Sequence, residues 1–513
     1  MTGPEYRDVE KPALDYLGEL GYAFIDPSEH GSLRDGDNHV LFRPHLIAAI
    51  QRINDVPEET ARSVYHQLLT EQDNEKWTKK LRGDVDESVP GQATKKTIRL
   101  IDFANPANNT FAVTNQLSVR GGKTRITDVV VYVNGIPLVV IEAKKQFGAK
   151  DKSGEAFDQI RQYERDIPRL FYSNVFNIIT NRTHTLYGAT GSPSAHWSFW
   201  KDPWPRSPSD FGEPFFASLW SLLEPSRLLD ILAHFLVFEK TEESVIKKVC
   251  RYQQYRAVNK IVERVVAGDP RRGLVWHTQG SGKSLTMVFA VLKLKMHLTS
   301  SSPELENLNF LILTDRIDLD DQITKTFNNC GLRNPQRANS VNELRAIIRT
   351  GSRGLTVLST VFKFQGSKKP VPDSKNWILL VDECHRTQEK DLGAYLRATL
   401  PDARFFGSTG TPIKKNDKDT YENFGAPGEG YLDRYGIDDA VADGATVPIW
   451  YTGRLTKWHL DGRELDVLFD QWFADEAEEV VEAIKRRGAS VADLAKHPER
   501  IKLIAYDLWI HFQ

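Results

Sequence analysis

The sequence predicts an α/β fold: a mixed sheet flanked by helices, followed by a parallel sheet with helices between its strands. Three observations predict it. Between residues 98 and 142 lie four β-rich runs, Ile98–Asp102, Phe111–Asn115, Asp128–Val133 and Leu138–Glu142, the last two joined by the turn signal Asn134-Gly135-Ile136-Pro137. From Gly273 onward, apolar runs at 273–277, 309–314, 355–359, 377–382 and 404–408 alternate with helical stretches, as parallel strands with crossover helices do. A length of 513 residues exceeds what one core holds and implies about two to four domains.

Each element has its own signal. Leu14, Leu17, Leu20 and Tyr22 follow a helical period that ends at Gly21, and a second amphipathic stretch covers 44–82. After the β-rich runs, a helical pattern returns at 154–166 and Phe176–Asn181 reads as a strand. Residues 191–214, rich in Pro, Ser, Gly and Trp, read as an irregular connector, and 215–267 as helical. There is no internal repeat and no low-complexity tract.

Bulk properties set limits. Hydrophobic residues make up 40% and charged residues 27%, ordinary for a globular protein. Lys and Arg (67) nearly balance Asp and Glu (69), so a net charge of −2 gives no overall nucleic-acid signal, and any DNA contact must come from local basic patches. Cys250, Cys330 and Cys384 lack metal-ligand spacing and cannot form a disulfide framework, which suits a reducing cytoplasm. The polar N-terminus lacks the apolar segment of a signal peptide, and no apolar run approaches a membrane span.

Residues 277–284, His-Thr-Gln-Gly-Ser-Gly-Lys-Ser, read as a phosphate-binding loop. Val275-Trp276-His277 ends a strand, Thr278–Gly282 turns, and Lys283-Ser284 opens a helix. Gly280 and Gly282 let backbone N–H groups, with Ser281 between them, approach phosphate oxygens, and the helix N-terminus favours an anion. Lys283 would reach the β- and γ-phosphates and the Ser284 hydroxyl would bind Mg²⁺. His277 stands where the first glycine of the full string would be. Asp382 and Glu383 follow the apolar run Trp377–Val381, which puts two carboxylates at the carboxyl end of a buried parallel strand, facing the ligand crevice. Asp382 would hold the metal and Glu383 polarise the attacking water.

Upstream, Asp128 opens a strand, and Glu142 and Lys144, two apart and so on one face, end the next. Two carboxylates and an amine at a sheet edge suit Mg²⁺, a hard ion that stabilises charge on a scissile phosphate, with Lys144 orienting the nucleophile or stabilising developing charge. Alone, Glu-x-Lys is also what a hairpin with solvated ends shows. The buried-strand types Val139-Val140-Ile141, which deliver the pair to an apolar sheet, favour the site. Asn181-Arg182 either touches DNA or turns the chain.

Taken in order, these strings resemble known families. Val381-Asp382-Glu383-Cys384-His385 resembles motif II of superfamily 2 (DEAD/DEAH-box) helicases, Ser408–Pro412 their motif III, and Leu313–Arg316 with Leu319 and Gln322 their motif Ia. Arg251–Val258 resembles the adenine-reading Q motif, with Gln254 as its glutamine. The Asp-Glu-x-His string implies a coupling role for His385. Asp128 … Glu142-Ala-Lys144 resembles the signature of restriction-type nucleases, and Gln159-x-x-x-Tyr163 a motif of RecB-family nucleases. Glu10 matches a helical acid of that family and equally a solvated helix residue.

A nuclease followed by such a motor resembles the R subunit of type I restriction–modification enzymes, as does the stretch Tyr431 … Tyr451. The resemblance implies a restriction-endonuclease-like nuclease domain at 1–215, a helical connector at 216–250, a first RecA-like lobe at 251–455 and the start of a second, truncated lobe at 456–513. It implies ATP and Mg²⁺ as cofactors, double-stranded DNA and the methylation and specificity subunits as partners, no membrane, and a cytoplasmic location. The activity it implies is ATP-dependent DNA translocation with cleavage remote from the recognition site. A second lobe carrying the arginine finger is not in the sequence, which reads as a fragment with ATP turnover in doubt. Other readings are a RecB-like or type III-like nuclease–helicase fusion and a silent assembly module.

Overall fold

The computed structural model describes residues 5–447, apart from 92–93, 145–152, 243, 298–304, 315–316, 331–334, 339, 351, 361–369, 372–373, 386–391 and 416–417, and beyond them 474, 480 and 498–511. Residues 1–447 form one compact unit and 448–513 another. In the latter the helix Pro498–His511 is described; the rest of the expected second lobe, 456–513, lies almost wholly outside the described residues.

Among the described residues, the first unit carries two large sheets of seven strands each. In the first, spatial order follows chain order: β1 (Ala23–Ile25), β2 (Phe111–Arg120), β3 (Thr124–Val133), β4 (Ile136–Ala143), β5 (Phe176–Thr180), β6 (Thr185–Gly188) and β7 (Ser198–Phe199). β1–β2 and β4–β5 are parallel and the other pairs antiparallel, so the sheet is mixed. Asn134 and Gly135 both have positive φ, 51° and 76°, the geometry of a two-residue hairpin whose twist matches the strands. A Cβ on Gly135 would stand 2.6 Å from the Phe42 carbonyl oxygen, so the position demands glycine.

Register decides which side chains meet. Val129 pairs with Ile141 and Val130 with Val140, which sets Asp128 across from Glu142. Odd-numbered β3 residues (Val129, Val131, Val133) pack with Leu46, Ile50 and Val64 from the helices Arg43–Asn54 and Glu58–Thr70. Even-numbered ones (Val130, Tyr132) pack with Ala156, Ile160 and Tyr163 of the helix Ser153–Asp166. Burying each such aliphatic side chain contributes about 1.5–3 kcal/mol, so a one-residue slip is strongly disfavoured. Asp128 and Glu142 share the parity of Val130 and Val140, and therefore lie on the face of that helix.

The second sheet comprises β10 (Arg272–His277), β11 (Asn309–Thr314), β12 (Gln336–Arg337), β13 (Thr356–Thr360), β14 (Trp377–Val381), β15 (Arg404–Thr409) and β16 (Asp433–Tyr435). All pairs are parallel, in the order β12-β13-β11-β14-β15-β10-β16. Between the sheets, β8 (Leu236–Lys240) and β9 (Val245–Val249) form an antiparallel hairpin.

Four expectations are corrected. Ile98–Asp102 is not a strand: after the Ile98 N–H, which donates to the Val85 carbonyl at 2.7 Å, Asn54 bonds the Arg99 N–H and C=O and Asn134 the Leu100 C=O, so side chains take over from the ladder. The helical stretch 215–267, and with it the helical connector 216–250, is interrupted by β8–β9, whose Val237, Phe238, Val245, Ile246 and Val249 are strand-favouring types. The irregular stretch 191–214 contributes the edge strand β7. Asp128 lies mid-strand in β3 rather than opening it. No break in packing falls at 215, because one apolar core runs from Ala13 to Ala440.

Candidate nuclease and nucleotide sites

Asp128, Glu142 and Lys144 converge at one end of the first sheet. Asp128 Oδ2 accepts from the Ala143 N–H at 2.8 Å, and the Lys144 ammonium donates to Glu142 Oε1. Lys144 is held in place by its own N–H, which donates to the Thr180 carbonyl on β5 at 2.8 Å. Glu142 is fully buried, and its Oε2 has no hydrogen-bond partner among the described residues. Burial first, then the nearby Asp128 charge, pushes the Glu142 carboxyl up to about 8 against the pull of Lys144. Burial also raises Asp128. Burial works against the Lys144 ammonium, but the Glu142 and Asp128 carboxylates outweigh it and raise its pKa. The result is a cluster of carboxyls whose ionised form burial and mutual repulsion disfavour.

Gln159 and Tyr163, one turn apart on the helix over this face, touch each other: Gln159 Nε2 donates to the Tyr163 hydroxyl at 2.5 Å, and that hydroxyl donates to the Ile126 carbonyl at 2.9 Å. Glu10 belongs here too rather than to a solvated helix face. It is 5% exposed, and burial followed by the Asp128 charge pushes it up to about 7. Gln116 is a neighbour that sequence reasoning missed. The β2–β3 ladder skips the pair Gln116 and Asp128, and Gln116 has φ 51°, a left-handed conformation that costs on the order of 1–3 kcal/mol. Its Nε2 lies 3.5 Å from Glu10 Oε2. Nothing in its surrounding strand pattern signals this. Arg182 turns the chain, with φ 70° and a two-pronged pair to Glu213 at 2.6 and 2.8 Å.

The second site lies at the carboxyl ends of β10 and β14. Gly280 and Gly282 have φ 81° and 85°, which opens the loop before the helix Lys283–His297. Gln254, 3% exposed, receives the Arg251 N–H at 2.8 Å and donates to the Gly282 carbonyl at 3.1 Å, so the helix Tyr252–Ala267 grips the loop. The Thr278 N–H donates to the Tyr435 carbonyl at 2.9 Å, and the Ser281 hydroxyl is buried without a partner among the described residues. Ser284 is the second residue of the loop's helix. Lys283 Nζ lies 3.4 Å from Glu383 Oε1 across the cleft.

Asp382 is 6% exposed, its Oδ1 unpartnered among the described residues, and burial with the Glu383 charge raises it to about 6. Glu383 has φ 44°. His385 Nδ1 lies 2.8 Å from Thr409 Oγ1 and 3.4 Å from Glu383 Oε2, linking the acid strand to the β15 end. The motif Ia residues Asp315 and Arg316 lie outside the described residues. A cavity of about 220 Å³ opens beside Gln254 and the loop, walled on its far side by Ala189, Ser192 and His196 of the first-sheet region.

Residues 5–196 match the family described as type I restriction enzyme R protein N terminus, and residues 253–482 match the SWI2/SNF2 ATPase family. The class is therefore an R-protein N terminus joined to a SWI2/SNF2 ATPase region. Across 99% of its length the chain is 32% identical to the HindI type I restriction enzyme endonuclease subunit of Haemophilus influenzae, covering 51% of that protein. It is 26% identical over 85% of its length to the SauCOLORF180P endonuclease subunit of Staphylococcus aureus, covering 46% of it. The chain is similar to type I restriction enzyme endonuclease subunits, and it spans about half the length of the curated relatives it matches. Among solved structures it is similar to the ATP-dependent type ISP restriction-modification enzyme LlaBIII bound to DNA, at 17% identity over 62% of this chain and 22% of that one, with a TM-score of 0.28.

Proposed function

We propose that this chain carries the nuclease and the first motor lobe of a type I restriction endonuclease subunit, which moves double-stranded DNA at the expense of ATP and cuts it away from the recognition site. In this reading residues 1–215 are a restriction-endonuclease-like nuclease domain and 251–455 a RecA-like lobe. Methylation and specificity subunits supply sequence recognition, and the complex acts in the cytoplasm; among the described residues no helix is long and apolar enough to cross a membrane.

The observation that carries the reading is the set of buried Glu10 and Glu142 with half-buried Asp128 and Lys144, in the same compact unit as a phosphate loop that faces Asp382 and Glu383. Both sites suit magnesium. Each presents buried carboxylates whose charge burial disfavours and an oxygen without a partner, which a hard divalent cation offsets. Among the described residues no group of three or more His, Cys, Asp and Glu side chains is arranged to hold an ion, so water and phosphate oxygens would complete each shell. Asp128 and Glu142 would hold the nuclease ion and Asp382 and Ser284 the nucleotide's; such an ion supplies charge neutralisation at phosphate.

The chain's own groups do the rest. Lys144, beside Glu142, stabilises charge at the scissile phosphate, and the Gln159–Tyr163 pair fixes the helix over the site. Lys283, released from Glu383, takes the β- and γ-phosphates, Thr278 and Gly280–Gly282 cradle them, and Gln254 reads the base. Glu383 is then free to orient water. Cleavage and ATPase assays on the subunit assembled with its partners on duplex DNA test the reading: Asp128→Ala is expected to lose cleavage and keep ATPase. Equal loss of both activities would refute the assignment of two separate sites.

A further inference from the structure

The nucleotide site described above does not use a buried charge network behind it. His277 is the last residue of β10, where the chain leaves the sheet for the phosphate loop, and it is 0% exposed. Its Nε2 lies 2.7 Å from Asp433 Oδ2. Asp433, 1% exposed, begins β16, the edge strand paired to β10 through His277 and Tyr435. Asp433 also receives Arg256 Nε at 2.7 Å and Nη2 at 3.1 Å, and Lys260 Nζ at 2.9 Å. Arg256 lies on the same helix as Gln254, whose amide holds the Gly282 carbonyl.

The network continues out of the motor sheet. Arg256 Nη1 also pairs with Asp202, in the segment that follows edge strand β7 of the first sheet. Its neighbour Lys201 makes a second link, at 2.6 Å to Asp443, on which the hydroxyls of Tyr252 and Tyr435 also converge at 2.7 and 2.9 Å. Arg256 and Lys260 balance Asp433 and Asp202 in charge, and the imidazole needs only to donate one hydrogen bond. A set balanced in this way around the buried His277–Asp433 pair favours a single geometry, because removing one member leaves the buried charge of Asp433 less well compensated.

We propose that Asp433 and Asp202 are positioning residues for ATP turnover: Asp433 fixes the base of the phosphate loop through His277, and Asp202, through Arg256, carries the position of the first-sheet region to the helix that bears Gln254. This rests on the reading of Lys283 and Gln254 as the ATP site. Neither aspartate touches the nucleotide. Asp202 acts through Arg256 and Asp433 through His277, which is why the first element of the loop is a histidine rather than the glycine of the full phosphate-loop string. A glycine there could make no side-chain bond to Asp433.

The test is steady-state ATPase with the subunit assembled with its partner subunits on duplex DNA, beside the thermal unfolding midpoint of each variant. Asp202→Asn removes the charge from the outer end of the network at a part-exposed position. It is expected to raise KM for ATP about 5- to 10-fold, a typical coupling between sites, with kcat within about twofold and an unchanged midpoint. Asp202→Glu, which keeps the charge, restores KM. Asp433→Asn is expected to lower kcat as well, because it strikes the loop base directly. If Asp202→Asn leaves KM at the wild-type value, whether or not the midpoint falls, while Lys283→Ala abolishes turnover, the network is structural and the proposal is overturned. If Lys283→Ala leaves turnover intact, the ATP-site reading fails and the proposal falls with it.

Discussion

At the scale of single residues, the proposed nuclease site is held in a state that costs stability. Glu142 carries a carboxyl raised to about 8, against an ordinary value near 4.5. A raised folded-state pKa means that the folded protein holds the proton more tightly than the unfolded chain. That contribution is complete below the ordinary value and is lost as pH rises through about 8. Glu142→Gln, which cannot ionise, is therefore expected to unfold at a higher temperature than wild type at pH 8.5 in chelator, with the difference vanishing near pH 4. Calorimetry across that range checks it. A variant less stable than wild type at pH 8.5 would mean that the Lys144 pair, not burial, dominates the site. Asp128→Ala and Lys144→Ala are expected to lower cleavage on the order of 100-fold or more, since metal and cation stabilisation at phosphate is worth several kcal/mol.

The same scale shows how far side-chain identity was readable. Asp128, Glu142 and Lys144 were legible because strand periodicity fixes which positions share a face, Gln159 and Tyr163 because they match a nuclease-family string, and the structure brings all five together. Glu10 was ambiguous, because an acid on a short helix looks the same whether solvated or buried. Gln116 and Asp433 were invisible. Each owes its place to a tertiary contact, a kinked ladder in one case and a distant histidine in the other, and local pattern carries neither.

At the scale of elements, the phosphate loop depends on backbone conformations that a side chain disfavours. A Cβ on Gly282 would meet Gln254 Nε2 at 2.5 Å, and its φ is 85°. Gly282→Ala is therefore expected to displace the glutamine and loosen the loop, weakening ATP–Mg²⁺ binding by titration calorimetry. Lys283→Ala removes a charged contact to phosphate, worth roughly 1.5–3 kcal/mol, so affinity is expected to fall about 10- to 100-fold. Unchanged affinity in both variants would place the nucleotide elsewhere. The parallel strands β10, β11, β13, β14 and β15 were legible as apolar runs, because both faces are covered and nearly every residue is buried. The hairpin β8–β9 was read as helix, since its alternation is short and it follows two true helices, Pro214–Leu223 and Pro225–His234. The two-residue strand β12 and three-residue strand β16 are too brief for periodicity to register.

At the scale of the whole molecule, the two sites sit on separate sheets of one compact unit, joined by a continuous core. Trp200 of the connector packs on Tyr255 of the Gln254 helix at 5.4 Å, so the first-sheet region and the motor meet through buried rings as well as through charges. Chain order announced this arrangement, one site's strings preceding the other's, but the closeness of the packing between them was not legible, because connector residues 191–214 carry no regular pattern. In the proposed function one chain holds a nuclease site and a separate ATP site whose turnover drives cutting. The most direct measurement is a paired assay of DNA cleavage and ATP hydrolysis for Asp128→Ala and Lys283→Ala, each in the subunit assembled with its partners on duplex DNA. Asp128→Ala is expected to hydrolyse ATP at the wild-type rate without cutting, while Lys283→Ala does neither. Cleavage at the wild-type rate by Lys283→Ala, or loss of ATP hydrolysis in Asp128→Ala, would contradict this reading.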